Sequence, residues 1–272
     1  MMDTTSKAKQ VRRILSGLGE VAVAYSGGTD SSYLLAVSLD VLGPDAVLAL
    51  TADSPLTPRT ELDEARTLAS RLGVRHMVLA HDDLAHEEIV ANPPDRCYHC
   101  KFTRFDRLLT VARGEGIVHL LHGENADDLG DYRPGSRAAE ELGVRAPLRE
   151  VGLTKAEVRT LSKKRGLSTW DKPAYACLAS RFPYGTRLTR EALARVEAAE
   201  EAVRHIVGLR QLRVRDHYPV ARLEVAPSRI TEVAAPASRI GVVEALRELG
   251  YRYVALDLEG YRMGSLNDEL ES

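Results

Sequence analysis

Aromatic side chains are scarce in this sequence. They make up 5% of 272 residues, with three Phe and a single Trp beside ten Tyr. Cysteine is scarcer, at Cys97, Cys100 and Cys177. So small and odd a number excludes a disulfide-stapled scaffold and points to metal binding or thiol chemistry, the other use of a cysteine being a plain core position. A basic excess is also missing: 37 Lys and Arg stand against 39 Asp and Glu, for a formal net charge of −2. A chain whose main partner is nucleic acid carries a marked positive surplus, so no nucleic-acid partner is expected. No apolar run approaches the roughly 18–20 residues of a membrane helix. The opening MMDTTSKAKQVRRIL lacks the apolar core of a secretory leader. No membrane partner and a cytoplasmic location are the expectation. What remains, 44% apolar and 28% charged residues, is ordinary for a globular protein. At roughly 100–200 residues per domain the length allows one or two.

The first half alternates short apolar runs with helical stretches. EVAVAY (Glu20–Tyr25), AVLALT (Ala46–Thr51), Val74–Leu79 and Ile117–Leu121 read as strands. Between them, helical patterns lie near Thr29–Val41, Thr60–Leu72 and Lys101–Arg113. That alternation predicts an α/β fold with a doubly wound parallel sheet, and ligands in such sheets bind beyond the carboxyl ends of the strands. Thr154 followed three residues later by Glu157 has the form of a capping box for a further helix, Thr154–Arg165. Ser168–Thr186, rich in Pro and Gly, reads as a loop. After the helical Glu191–Ile206 the pattern changes to strands at Gln211–Arg215, Ala221–Val225 and Tyr251–Leu256, with a helix near Gly241–Leu249. The expectation is a main domain over residues 1–185 and a small α+β domain over 186–272, divided near Pro183–Thr189. There is no internal repeat and no low-complexity segment.

SGGTDSS (Ser26–Ser32) follows the first strand and opens the first helix. Gly27 and Gly28 let the backbone turn tightly and approach a ligand. Successive N–H groups and the helix N-terminus then form an anion nest. Ser26, Ser31 and Ser32 add hydroxyl donors, and Asp30 is placed to hold Mg²⁺. The lysine of a Walker loop is missing. The bland alternative is a Gly-Gly turn with an ordinary helix cap. Two further strand ends carry acids: Thr51–Pro55, with Asp53, and Gly123–Asp128, with Gly123, Asn125 and Asp127. Such acids bind ribose or metal, or else serve as solvated turns, the plainer role being strongest for Asp128.

SGGTDSS resembles the SGGxDS loop of the N-type ATP pyrophosphatases, the PP-loop superfamily. The resemblance implies ATP as substrate, cleaved between its α and β phosphates to give an adenylylated acid and pyrophosphate, with the residues named above at the ATP site. A narrower resemblance is carried by NPPDRCYHCK (Asn92–Lys101), GENADDLGDYRPG (Gly123–Gly135), KPAYACLASRFPYG (Lys172–Gly185) and GYRMGSLN (Gly260–Asn267). These are similar to the ATP-dependent sacrificial sulfur transferases of LarE type, over nearly the whole chain. That family converts a carboxylate of pyridinium-3,5-biscarboxylic acid mononucleotide into a thiocarboxylate, toward the nickel-pincer cofactor of lactate racemase.

The resemblance assigns Cys177 to the attacking cysteine. In single-cysteine members that residue loses its sulfur and becomes dehydroalanine. Cys97 and Cys100, read as a CxxC in a loop, resemble the three-cysteine branch, where a 4Fe–4S cluster is implied with Cys177 as third ligand. The two roles for Cys177 exclude each other within one mechanism. Ligand counting favours the cluster, since a structural zinc wants four ligands and no second CxxC exists. Arg181, four residues after Cys177, is a candidate for thiol activation or substrate binding, against a surface ion pair. Arg213, Arg215 and Arg262 are candidates for the substrate phosphate, each otherwise a solvated arginine. Trp170 serves equally as a stacking surface or a core residue. The family also implies a homo-oligomer, a hexamer among its forms, and a small-molecule mononucleotide partner. Competing readings are a tRNA thiolase or an amidating synthetase of the same superfamily, and a non-enzymatic nucleotide-binding regulator.

Overall fold

The computed structural model describes residues 3–130, 134–173, 176–209 and 211–262. Expectations that fall on 131–133, 174–175 and 263–267 therefore lie outside the described residues. The chain divides into two compact units, Met1–Asp83 with Asp95–Tyr175, and Leu84–Pro94 with Ala176–Ser272.

Unit 1 is built on four parallel strands: β1 (Val21–Ala24), β2 (Val47–Asp53), β3 (Arg75–Ala80) and β4 (His119–His122). Their order is β3-β2-β1-β4. Side chains alternate between the two faces. Val21, Val23, Val47, Ala49 and Leu121 join a core with Val11 and Leu15 of the helix Thr4–Ser16 and Leu34 and Leu35 of the helix Thr29–Leu42. Ala22, Leu48, Leu50 and Leu120 join Phe105, Leu108 and Ala112 of the helix Arg96–Gly114. Strands covered on both faces read as continuous apolar runs, which is how the sequence displays them. The α/β parallel sheet is thus as expected.

β1 runs beside β2 from Val21↔Val47 to Ala24↔Leu50, and beside β4 from Val21↔His119 to Ala24↔His122. The carboxyl ends of these three strands lie side by side. Strand order reverses between β1 and β4, which is the switch point where open α/β sheets bind ligands. One expectation needs correcting here. Cys97 and Cys100 do not sit in a loop but in the first turn of the helix Arg96–Gly114. The apolar periodicity of Phe105, Leu108, Leu109 and Ala112 marks only the middle of that helix, while its first turn carries Arg96, Cys97 and His99, which give no such signal. The helices Thr4–Ser16 and Pro134–Glu141 were not anticipated either.

Unit 2 pairs a sheet with two long helices. β5 (Leu212–His217) and β6 (Val220–Val225) are antiparallel, and β7 (Tyr253–Leu256) adds parallel to β6. The helices Arg190–Val207 and Pro236–Glu248 cover them, through Val203, Val207, Val242 and Leu246. Leu84–Pro94 joins this unit because Gly185 and Leu188 donate their amides to the carbonyls of Asn92 and Val90. Among the described residues no helix is long and apolar enough to cross a membrane.

The expected capping box is present: Thr154 Oγ1 accepts from the Glu157 amide and Glu157 accepts from the Thr154 amide, opening the helix Lys155–Lys164. Glu157 also takes Lys7 at 2.8 Å and Thr4 at 2.8 Å from the N-terminal helix. Desolvation alone would raise its pKa, but the donors from Lys7, Thr154 and Thr4 outweigh it and pull the group down to about 2. A depressed carboxylate stabilises the fold above its unfolded pKa, and that contribution disappears as pH falls through the folded value. Glu157→Gln is therefore expected to lower the urea midpoint at pH 7, with the gap to wild type closing between about pH 4.5 and pH 2. A pH-independent gap would contradict the assignment.

Candidate active site

The phosphate loop is closed by its own hydroxyls. Ser26 Oγ and Ser31 Oγ lie 3.1 Å apart, Ser31 Oγ accepts from the Ser26 amide, and Ser26 Oγ faces the Gly28 amide at 3.4 Å. Gly27 has φ of +72°, and a Cβ there would lie 2.8 Å from the Cβ of Ala65. Two independent constraints therefore demand glycine. Gly123, at the end of β4, meets a stricter one: a Cβ would stand 2.5 Å from the Ser31 amide nitrogen. The β4 turn and the phosphate loop are in backbone contact at the switch point.

Asp30 opens the first helical turn after the loop, and its carboxylate receives Lys155 Nζ at 2.6 Å. Burial pushes its pKa up, Lys155 pulls it down, and the nearby charge of Asp128 pushes it up again, leaving it raised. A buried carboxylate needs a cation beside it to stay ionised, and Lys155 or a Mg²⁺ ion meets that need equally. Lys155 was not singled out from the sequence. The available signal was a lysine at the first position of a helix, where the dipole disfavours positive charge.

The remaining acids of the site are engaged with the backbone or with arginine. Asp127 accepts the Lys155 amide at 2.9 Å, Asp128 the Asn125 amide at 3.0 Å, and Asn125 Oδ1 the Asp127 amide at 3.0 Å. Asp53 faces Arg59 at 2.5 Å. Next to it, Ser54 donates to Asp83, a fully buried carboxylate that Arg104 grips through Nε and Nη2. Cys100 Sγ donates to the same carboxylate at 3.3 Å. Cys97, one turn away, is exposed. Among the described residues no group of three or more His, Cys, Asp or Glu is arranged to hold a metal ion. Unit 1 by itself thus offers two thiols on one helical turn.

Unit 2 carries Cys177, which precedes the short 3₁₀ turn Leu178–Arg181. Its carbonyl accepts from the Ser180 amide at 3.0 Å, Ser180 Oγ at 2.8 Å and Arg181 Nη1 at 3.1 Å. Arg181 is fully buried and not a surface ion pair. Its Nε and Nη2 form a fork on Glu200 at 2.8 and 3.0 Å, and Nη1 also reaches the Ala176 carbonyl at 2.7 Å. Arg215 forms a second fork on Glu224, at 2.9 and 2.8 Å, and donates to the Ser180 carbonyl at 2.5 Å. Arg213, on the same face of β5, is buried, with its pKa lowered first by burial and then by the charge of Arg181. Three guanidiniums and two carboxylates thus gather around the cysteine turn. Arg262 is instead exposed and paired with Glu259 at 2.9 Å. Trp170 carries Lys163 over its ring at 4.4 Å.

Glu200 had a sequence signal. Leu193, Val196, Val203 and Val207 form the buried stripe of the helix Arg190–Val207, and Glu200 falls in the same stripe. A carboxylate on an apolar stripe implies a buried cation.

No protein-family model matches the chain. Among individual proteins, it is 41% identical over 266 residues to the pyridinium-3,5-bisthiocarboxylic acid mononucleotide synthase of Lactiplantibacillus plantarum, covering 98% of this chain and 95% of that protein. It is 43% identical over 262 residues to an uncharacterized protein of Synechocystis sp., covering 96% and 97%. A more distant likeness, 31% over 160 residues and 56% of each chain, is to the NH(3)-dependent NAD(+) synthetase of Hyperthermus butylicus.

Removing one partner of a buried ion pair leaves an uncompensated charge. Glu200→Ala, which strands Arg181, is expected to cost about 3–5 kcal/mol in urea unfolding. A loss below about 1 kcal/mol would mean that Arg181 is not held as described.

Proposed function

The chain belongs to the LarE-type sulfur transferases of the PP-loop superfamily, and from that membership we propose that it adenylylates a carboxylate of pyridinium-3,5-biscarboxylic acid mononucleotide and converts it into a thiocarboxylate. The observation that carries the reading is a phosphate loop at the sheet's switch point in the same chain as a cysteine turn ringed by arginines. The cysteine turn suits a substrate with a phosphate and carboxylates, because the guanidiniums of Arg181 and Arg215 bond the turn directly and that of Arg213 lies close enough to feel the charge of Arg181.

A carboxylate is a poor electrophile, since its charge is delocalised and its oxygen is a poor leaving group. In the proposed first step a substrate carboxylate oxygen attacks the α-phosphorus of ATP. The bond to the bridging oxygen breaks, and pyrophosphate leaves into the nest of Ser26–Ser32. Asp30 would hold a Mg²⁺ ion that offsets the charge of the phosphates, and Lys155 supplies a cation at the same carboxylate. The acyl adenylate then has AMP as leaving group. In the sacrificial route Cys177 Sγ attacks the acyl carbon, AMP departs, and a base removes the Cys177 Cα proton as the Cβ–S bond breaks. The products are a thiocarboxylate and dehydroalanine at position 177.

The alternative use of the sulfur atoms belongs to the same proposal. Cys97 and Cys100, one turn apart on a helix, would supply two thiolate ligands of a 4Fe–4S cluster, and the family resemblance makes Cys177 the third. Such a cluster, when bound, would supply sulfide from an iron left open. The protein's own part would be to present the three thiolates and the activated acid. Supporting this branch is the count of cysteines: the chain carries these three and no others.

Four measurements test the reading. Incubation with MgATP and the acid is expected to yield AMP and pyrophosphate; ADP and phosphate would refute it. Asp30→Ala should reduce that yield by at least about a hundredfold in protein that still folds, as read by circular dichroism, the loss expected when a preorganised electrostatic contact is removed. Under anaerobic conditions, one turnover by the sacrificial route leaves the protein lighter by one H₂S. With a cluster, the mass stays constant and the reconstituted protein holds iron and sulfide, which Cys97→Ser or Cys100→Ser would remove. Sulfur delivery at the wild-type rate by Cys177→Ser would contradict both branches.

A further inference from the structure

The phosphate loop has no Walker lysine, yet it has a lysine behind it. Lys172 Nζ faces Glu61 at 2.9 Å, Glu64 at 2.7 Å and the Gly27 carbonyl at 3.3 Å. An ammonium has three N–H groups to donate, and Glu61, Glu64 and the Gly27 carbonyl all lie within reach of them. Its side chain is 9% exposed. Burial works against its charge, but the two carboxylates more than compensate and the pKa is raised, so the group is cationic at neutral pH. The segment before it is tied to the same loop, since Thr29 Oγ1 donates to the Thr169 carbonyl at 2.8 Å. Arg159 in turn donates to the carbonyl of Lys172 at 3.2 Å.

The Gly27 carbonyl and the Gly28 N–H are the two ends of one planar peptide group, pointing in opposite directions. Between two glycines such a peptide can flip at little steric cost. Flipped, it would aim a carbonyl oxygen at the phosphates and remove one N–H from the nest. In the structure the carbonyl is turned toward Lys172 and the Gly28 N–H toward Ser26 Oγ, within the loop's own hydroxyl cluster. We propose that Lys172 is a positioning residue that locks the Gly27–Gly28 peptide in its anion-binding orientation. It acts on phosphate through the backbone, with Glu61 and Glu64 fixing the ammonium. The inference rests on the ATP-binding reading of the loop, and it assigns Lys172 a part in nucleotide recognition and none in the sulfur step.

The test compares wild type with Lys172→Met and Lys172→Arg in the full chain. Dissociation constants for MgATP and inorganic pyrophosphate are read by calorimetry, and KM for ATP and for the carboxylate substrate by AMP release. Loss of one charge-assisted hydrogen bond predicts that Lys172→Met weakens both phosphate ligands about tenfold and raises KM for ATP alike. KM for the acid should stay within about twofold, and Lys172→Arg should recover most of the affinity. The proposal is overturned if Lys172→Met binds pyrophosphate like wild type, or if affinity for the acid falls as far as that for ATP. A mistaken acid would show differently: wild type would bind MgATP and pyrophosphate yet release no AMP.

Discussion

Everything at the nucleotide end of unit 1 depends on one backbone contact, the approach of Gly123 to the Ser31 amide. β1 lies between β2 and β4 in parallel register, so the turns that leave β1 and β4 are forced together where the strand order reverses. A parallel sheet brings its strand ends to one edge without needing sequence proximity. The condition is that nothing larger than hydrogen projects from position 123, just as position 27 must clear Ala65. Given that clearance, the Asp30 carboxylate reaches Lys155, and Asp127 caps the helix that carries Lys155.

The charges of both candidate sites follow a common pattern in which four cations are fixed by carboxylates behind or beside them. Asp30 holds Lys155, Glu61 and Glu64 hold Lys172, Glu200 holds Arg181, and Glu224 holds Arg215. Such pairs add little net stability when buried, because desolvation consumes much of the attraction. Their value lies in orientation. A guanidinium forked on a carboxylate keeps its remaining N–H groups aimed in one direction, and both Arg181 and Arg215 use theirs to pin the turn that carries Cys177. The directions of these N–H groups are therefore fixed by the fold itself, the kind of preorganisation that electrostatic catalysis requires.

The parallel sheet was legible because its strands are uniformly apolar and separated by amphipathic stretches, and the phosphate loop because two glycines and four hydroxyl-bearing residues are contiguous there. The capping box at Thr154 and Glu157 was legible for the same reason: it is local. What stayed hidden is what depends on pairs distant in sequence. Lys155 meets Asp30 across 125 positions, and Lys172 meets Gly27 across 145. Neither lysine lies in a contiguous phosphate-binding pattern. The association of Leu84–Pro94 with unit 2 rests on main-chain bonds from Gly185 and Leu188, which side-chain identity does not announce. The start of the helix Arg96–Gly114 was missed because its first turn carries chemistry in place of apolar periodicity.

The central claim is that the acid itself attacks ATP at the α-phosphorus before any sulfur moves. It is tested most directly by labelling the substrate carboxylates with ¹⁸O and following the label. Attack by the carboxylate at that atom, then displacement by a thiol or sulfide at the acyl carbon, transfers one labelled oxygen to AMP for each thiocarboxylate formed. AMP carrying a single ¹⁸O is the predicted result. Label found in inorganic phosphate, or unlabelled AMP beside a thiocarboxylate product, would contradict the account.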